Sequence, residues 1–379
     1  MISIVIKDRT WTNYVKTIYR DRGDGASGFT GLSITTSEPG GYESIKFQIP
    51  YFAPFESTLF NVYYSVDVWE CRRKIWQGRI KRPLQYNADG YVEIEGEGIG
   101  PAWGKGQVWE VTAASNTPHG WFAAAFLANK NINLLSADAS QITTTGNSYV
   151  ITNRVWQGAT SEQVFNEVAN FGFDDYSAGA WGVDSGGKEN WISDAGNRFY
   201  WRKIDMSVVD FVLPFSWLDE CSIISDMDQY ANTVDAEYSG GWTSVTNATS
   251  KNLYTPGAAQ WATINVNTST STATVADATQ AANVYLSQHD TPQPKGEILL
   301  GDKFLQYCGG LMSIFDLRAG KNVRIPGLTM AHPDLIGTVT DDTVYRIIRS
   351  EYDDEEYTMR LTLNDYLDNS AVMIARLNK

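Results

Sequence analysis

The sequence predicts a mainly β fold with a smaller α+β insertion. Three observations carry this. Apolar residues alternate with the two-residue period of strands in the first and last thirds of the chain, turn-forming clusters punctuate those runs, and helical spacing with capping signals enters chiefly in the middle. The division that follows is a first β domain over residues 1–105, a mixed α/β insertion with a tryptophan-rich loop over 106–231, and a second β domain over 232–379 that holds one helix and a C-terminal segment.

In the first domain Ile2, Ile4 and Ile6 alternate, as do Leu32 and Ile34, then Ile45, Phe47 and Ile49, then Val66 and Val68, then Val92 and Ile94. Turn clusters separate them at 22–28, 38–41 and 87–90, and Asp89 followed by Gly90 is a hairpin signal. In the insertion, Thr117 and Pro118 supply an N-cap and a first-turn proline ahead of Trp121, Phe122, Ala125 and Phe126. Thr160 and Gln163 spell a capping box for a second helix that carries Val164, Phe165, Val168 and Phe171 and stops at Gly172. Residues 173–203 read as a long irregular stretch containing Trp181, Trp191 and Trp201, and a loop of that length usually has a job or is mobile. Residues 205–231 show no clean period, and their state stays open. From Asn232 the strand pattern returns with Val234, Ala236 and Tyr238, then Trp261, Thr263 and Asn265. Asp277 to Gln280 reads as the cap of a third helix with Ala281, Val284, Tyr285 and Leu286 on one side, ended by Pro292 and Pro294. Strands over 297–300, 323–325, 344–350 and 357–363 follow, with a terminal helical segment over 366–377.

At 379 residues the chain exceeds the roughly 250–300 at which single cores stop growing, so more than one domain is expected. An aromatic content of 13% excludes intrinsic disorder. The longest apolar stretch, Trp121–Leu127, is far short of the roughly 20 residues that cross a bilayer, and residues 1–7 are too short for a signal peptide. The expectation is a soluble chain made in a cytoplasm. A net charge of −14 repels phosphate, which argues against nucleic-acid binding yet suits a surface past which DNA must slide without adhering. Cys71, Cys221 and Cys308 make neither a metal spacing nor a redox pair, and His119, His289 and His332 are dispersed, so no cofactor, metal or catalytic residue is expected. The carboxylate pairs Asp174/Asp175, Asp219/Glu220 and Asp226/Asp228 are what a glycoside-cleaving site would draw on. Gly96, Gly98 and Gly100 follow a strand, but Pro101 and Trp103 stand where a dinucleotide-binding helix would open.

One internal echo stands out. Ile80 and Arg82 precede Tyr86 and Tyr91, and Ile347 and Arg349 precede Tyr352 and Tyr357, with four residues between each tyrosine pair. This reads as a duplicated β unit with an insertion between the copies. Tyrosine and tryptophan offer rigid contact area with a polar handle, so Tyr86, Tyr91, Trp181, Trp191, Tyr352 and Tyr357 are the candidate interface residues.

The stretches Leu317–Ile325, Val344–Tyr366 and Ile374–Leu377 resemble the closing strands of bacteriophage tail hub proteins. Phe47–Pro50, Val66–Trp69, Ile75–Arg79 and Val92–Gly98 resemble the first hub domain of baseplate and tail-tip proteins. The resemblance covers residues 30–105 and 230–377 and leaves the middle unmatched. It implies a non-enzymatic virion protein with two barrel-like antiparallel β domains per chain. Three copies would form a homotrimer whose six barrels extend the six-fold tail tube, adapt it to three-fold symmetry and let DNA pass without specific binding. The implied partners are further copies of the chain, a distal tail or tail tube protein, a tape measure protein and receptor-binding or fibre proteins. Assembly would occur in the host cytoplasm. Two alternatives stay open: a glycan-binding or glycan-cleaving tail adhesin that uses the tryptophan-rich loop, and a six-fold distal tail ring.

Overall fold

The computed structural model describes residues 2–20, 28–50, 60–81, 85–86, 90–99, 108–128, 140–184, 198–226, 230–266, 272–331 and 339–364. The N-terminal alternation becomes β1 (Ile2–Lys7), β2 (Tyr14–Tyr19), β3 (Thr30–Ser37), β4 (Gly40–Pro50), β5 (Ser65–Glu70), β6 (Arg73–Ile80), β7 (Gln85–Tyr86) and β8 (Tyr91–Gly98). They form an antiparallel ladder in the order β2-β1-β5-β6-β8-β4-β3. Alternation explains the core: Ile4 and Ile6 of β1 lie opposite Val68 and Val66 of β5, and all four are fully buried. The glycine run in β8 has a packing cause. Gly98 pairs with Gly78 of β6, and a Cβ on Gly98 would sit 1.7 Å from the Tyr42 carbonyl oxygen. Glycine here permits a close backbone approach rather than a nucleotide site. Gly100 lies outside the described residues.

The middle stretch, expected as an insertion, contains β9 (Val108–Asn116), α1 (Pro118–Ala128), β10 (Ile151–Thr160), α2 (Ser161–Ala169), β11 (Gly179–Asp184) and β12 (Arg198–Lys203). At the start of α1 the Thr117 hydroxyl accepts from the Gly120 N–H at 3.2 Å, and Thr160 with Gln163 makes the expected capping box on α2. The core of this unit is aromatic. Trp109, Trp121 and Trp156 meet edge-to-face, while Phe122 stacks on Trp201 with centroids 4.3 Å apart. Within the stretch expected as an irregular loop, Gly179–Asp184 and Arg198–Lys203 pair as antiparallel strands, with Trp181 directly opposite Trp201. Glycines mask its alternation: Gly179 lies so close beneath the Trp201 ring that a Cβ there would fall within 1.9 Å of it. β11 also runs parallel against the β3–β4 turn, pairing Val183 with Gly41. Gly41 has φ +85°, and a Cβ there would strike the Val183 carbonyl oxygen at 2.1 Å.

Residues 205–231 resolve into short pieces: β13 (Phe211–Val212), a 3₁₀ turn at Phe215–Trp217, β14 (Glu220–Cys221) and β15 (Ile224–Asp226). A separate sheet follows, built from β16 (Thr233–Tyr238), β17 (Gly241–Thr246) and β18 (Trp261–Asn265) in the order β17-β16-β18, with α3 (Ala248–Tyr254) linking the last two. Helix α4 (Val275–His289) packs against it, and Val234, Ala236, Ala278 and Ala282 are buried. The helix starts earlier than the pattern suggested. Thr274 is the N-cap and Asp277 is the third residue of a capping box, because the Thr274 hydroxyl meets the Asp277 N–H at 3.2 Å. Asp277 is fully buried and accepts from the hydroxyls of Tyr149 at 2.8 Å and Thr152 at 2.5 Å, tying α4 to the insertion. Burial by itself would raise its pKa; the hydroxyl and N–H donors outweigh that and hold it below the usual carboxylate range.

The chain closes with β19 (Gln293–Leu300), α5 (Asp302–Cys308), β20 (Asn322–Arg324), β21 (Val344–Asp353) and β22 (Thr358–Leu363). Their ladder is β21-β22-β19, with β14 and β15 on the far side of β19 and β20 beside β21. Strand β3 pairs with β21, so both terminal β regions belong to one continuous sheet. The fold is thus mostly β with large antiparallel pairings. Among the described residues no sheet closes on itself into a barrel. The terminal helical segment expected at 366–377 lies outside the described residues.

Candidate functional site

The two β regions meet along β3 and β21, in register from Ser33 opposite Asp353 to Ser37 opposite Arg349. A buried polar knot sits beside this ladder. Arg346 donates from Nε and Nη2 to the two carboxylate oxygens of Glu38, each at 2.7 Å, with both side chains 5% exposed. Its Nη1 donates to Asn322 Oδ1 at 3.0 Å, and its backbone N–H donates to Asn364 Oδ1 at 2.8 Å. The Thr36 and Ser350 hydroxyls lie 2.7 Å apart, and Thr36 also accepts from the Ala319 N–H at 2.9 Å. Fork-to-fork geometry is the strongest form of this pairing, and a buried ion pair offsets its desolvation only when the remaining donors also find partners. The knot therefore favours one relative placement of the two regions. A second tie lies farther along: Ser313 Oγ donates to the Glu70 carboxylate at 2.7 and 2.8 Å, while Arg73 pairs with both Glu70 and Asp316.

Both echoed tyrosine motifs sit at hairpins, with Tyr86 opposite Val92 and Tyr352 opposite Met359. Asn87 to Asp89 and the Tyr86 side chain lie outside the described residues, and Tyr91 is half-buried. In the second hairpin Tyr352 is buried by its own chain. Its ring packs on Phe315 at 4.6 Å, and its hydroxyl donates to Asp354 at 3.0 Å. Arg20 reaches the other Asp354 oxygen at 2.9 Å and covers the Tyr357 ring at 4.0 Å. Burial pushes the Asp354 carboxyl upward against the pull of Tyr352 and Arg20, and burial likewise pushes the Tyr352 hydroxyl above its ordinary range. Tyr357, 46% exposed, is the member of this hairpin open to a neighbour.

The tryptophans divide. Trp181, 3% exposed, packs on Phe165 and donates to Asn166 at 3.0 Å, so it belongs to the core of the insertion and offers no face to a ligand. Trp191 lies outside the described residues. Exposed indoles occur instead at Trp242 and Trp261, on the face of the β16–β18 sheet away from α4; of the two, only Trp261 stands in the alternation that the sequence shows. Among the carboxylate pairs, burial would raise Asp174, but donors from Ser148 and Tyr149 outweigh it and lower its pKa, while the Lys203 ammonium lowers Asp175. Both are held ionised, unlike the raised acid that glycoside cleavage requires. Asp228 lies outside the described residues. Among the described residues no group of three or more His, Cys, Asp or Glu is placed to hold a metal ion. His119 is fixed by Asn147, its Nδ1 lying 2.8 Å from the Asn147 carbonyl oxygen, and His289 stacks on Tyr285. His332 lies outside the described residues.

No family model and no curated protein matches the chain. Solved structures do. The fold superposes on the tail protein from Neisseria meningitidis MC58 with a TM-score of 0.59 at 14% identity, over 96% of this chain and 95% of that one. The 43 kDa tail protein of prophage MuSo2 from Shewanella oneidensis gives 0.59 at 12% identity, over 98% and 99%. The prophage tail protein gp18 from Listeria monocytogenes EGD-e gives 0.57 at 13% identity, over 99% and 98%. Along nearly its whole length, insertion included, the chain carries the fold of bacteriophage tail proteins.

Proposed function

We propose that the chain is the structural hub of a bacteriophage tail tip or baseplate. In this reading three copies close into a ring that extends the tail tube, adapts six-fold to three-fold symmetry and lets DNA through. One observation carries the reading: among the described residues two terminal β regions join in a single ladder that does not close, in a fold shared with the three tail proteins. Among the described residues the ladder ends on β2 at one side and on β14 and β15 at the other. Open edges invite pairing with another chain, and head-to-tail contacts close into rings. The charge suits a DNA passage, since three copies at −14 each would bring −42 to the assembly. Tyr91 and Tyr357 are assigned to contacts between copies. The chain would act without catalysis, in the virion, between a tube or distal tail protein and the tape measure on one side and fibre or receptor-binding proteins on the other. Native mass spectrometry of the purified protein tests the stoichiometry. The expected species is three times the 42.2 kDa chain. Six copies would support the distal-ring alternative, and a lone monomer at micromolar concentration would overturn both.

A further inference from the structure

Where β6 begins, the stretch ahead of β20 and the start of β13 come together around a cavity of about 190 Å³. Arg73, Lys74, Arg318 and Lys321 line it against a single carboxylate, Asp316. The lining itself is therefore rich in cations, although the chain as a whole carries −14. The half-buried rings of Phe211 and Phe315 supply an apolar wall.

The cations are already oriented by acids around them. Arg73 is held by Glu70 and Asp316, Lys321 lies 3.2 Å from Asp210, and Lys74, only 5% exposed, lies 3.9 Å from Asp67. An ammonium carries three donors, so a carboxylate arriving at Lys321 need not displace Asp210. Size narrows the occupant. A dry cavity of about 150 Å³ admits a benzene, whereas small-molecule and cofactor pockets start near roughly 300 Å³. The space fits one side chain.

We propose that this cavity receives an acidic side chain, flanked by an apolar residue, from a partner polypeptide. The cations give charge complementarity and the phenylalanines give the apolar contact. Residues 73–74, 211 and 315–321 come together only when the two terminal β regions are joined, so a partner seated here recognises the assembled fold.

The test is calorimetric titration of the full-length chain with a blocked Phe-Glu-Glu-Phe peptide. Saturable binding that weakens with added salt is expected, together with none to Phe-Lys-Lys-Phe. Arg318→Glu and Lys321→Glu should each weaken binding by about tenfold or more. Arg318→Gln, which keeps a polar side chain of similar reach, should fall between and guards against a misfolded variant. Circular dichroism checks that each variant keeps its fold. Absence of binding to the wild type, binding untouched by both charge reversals in folded protein, or equal competition by inorganic phosphate alone would each overturn the proposal.

Discussion

Replacing Arg346 by methionine is expected to destabilise the chain by about 3–5 kcal/mol, the usual cost of leaving one member of a buried ion pair without its partner. Glu38, only 5% exposed, would lose the guanidinium that meets both of its carboxylate oxygens, and the Asn322 side-chain oxygen would lose its Arg346 donor. Because Glu38 directly follows β3 and Arg346 stands in β21, the damage should concentrate where the two terminal β regions join. Hydrogen exchange should then show β3 and β21 opening together, ahead of β1 and β5. The double variant Glu38→Leu/Arg346→Met removes both charges and should recover most of the loss. Denaturant unfolding measures all three proteins. A single variant with wild-type stability, or a double variant as weak as the single, would show that the pair does not hold the joint.

Trp201→Ala is expected to cost about 3–5 kcal/mol, the range for truncating a large buried aromatic. The ring is fully buried, lies between Phe122 at 4.3 Å and Phe173 at 5.3 Å, and donates to Asn147 at 3.3 Å. Asn147 also accepts from the His119 N–H and donates to the Gly172 carbonyl oxygen, so the same truncation loosens the start of α1 and the turn after α2. Loss of near-ultraviolet dichroism with retained β signal is the expected signature, since the indole cluster is confined to the insertion. Trp201→Phe should lose less than half as much. Near-wild-type stability of the alanine variant would mean that the insertion does not depend on its aromatic core.

Local signals proved the most legible part of the fold. The isoleucines of β1, the valines of β5 and the capping box at Thr160 and Gln163 each form structure through neighbours a few residues away or through strict alternation, and each is where the pattern placed it. The sequence pattern starts the helix at Val275 three residues late because Asp277 can serve either as a cap or as the third residue of a capping box, and only the Thr274 geometry decides. The β11–β12 hairpin escaped because glycines take the positions where apolar residues would have shown the alternation. The joint itself left no trace. Glu38 and Arg346 are 308 positions apart and look like ordinary surface charges in their own segments; their pairing depends on how two strands meet in space. Of the candidate interface residues, Tyr352 and Trp181 carry the right chemistry for a contact but spend it inside their own chain, and aromatic composition cannot distinguish those two uses.

Electron microscopy of the purified assembly tests the hub reading most directly. Class averages should show a three-fold ring with an open central channel, bordered by six β-rich lobes, two from each chain. A compact particle without a channel, or lobes directed away from any common axis, would contradict it.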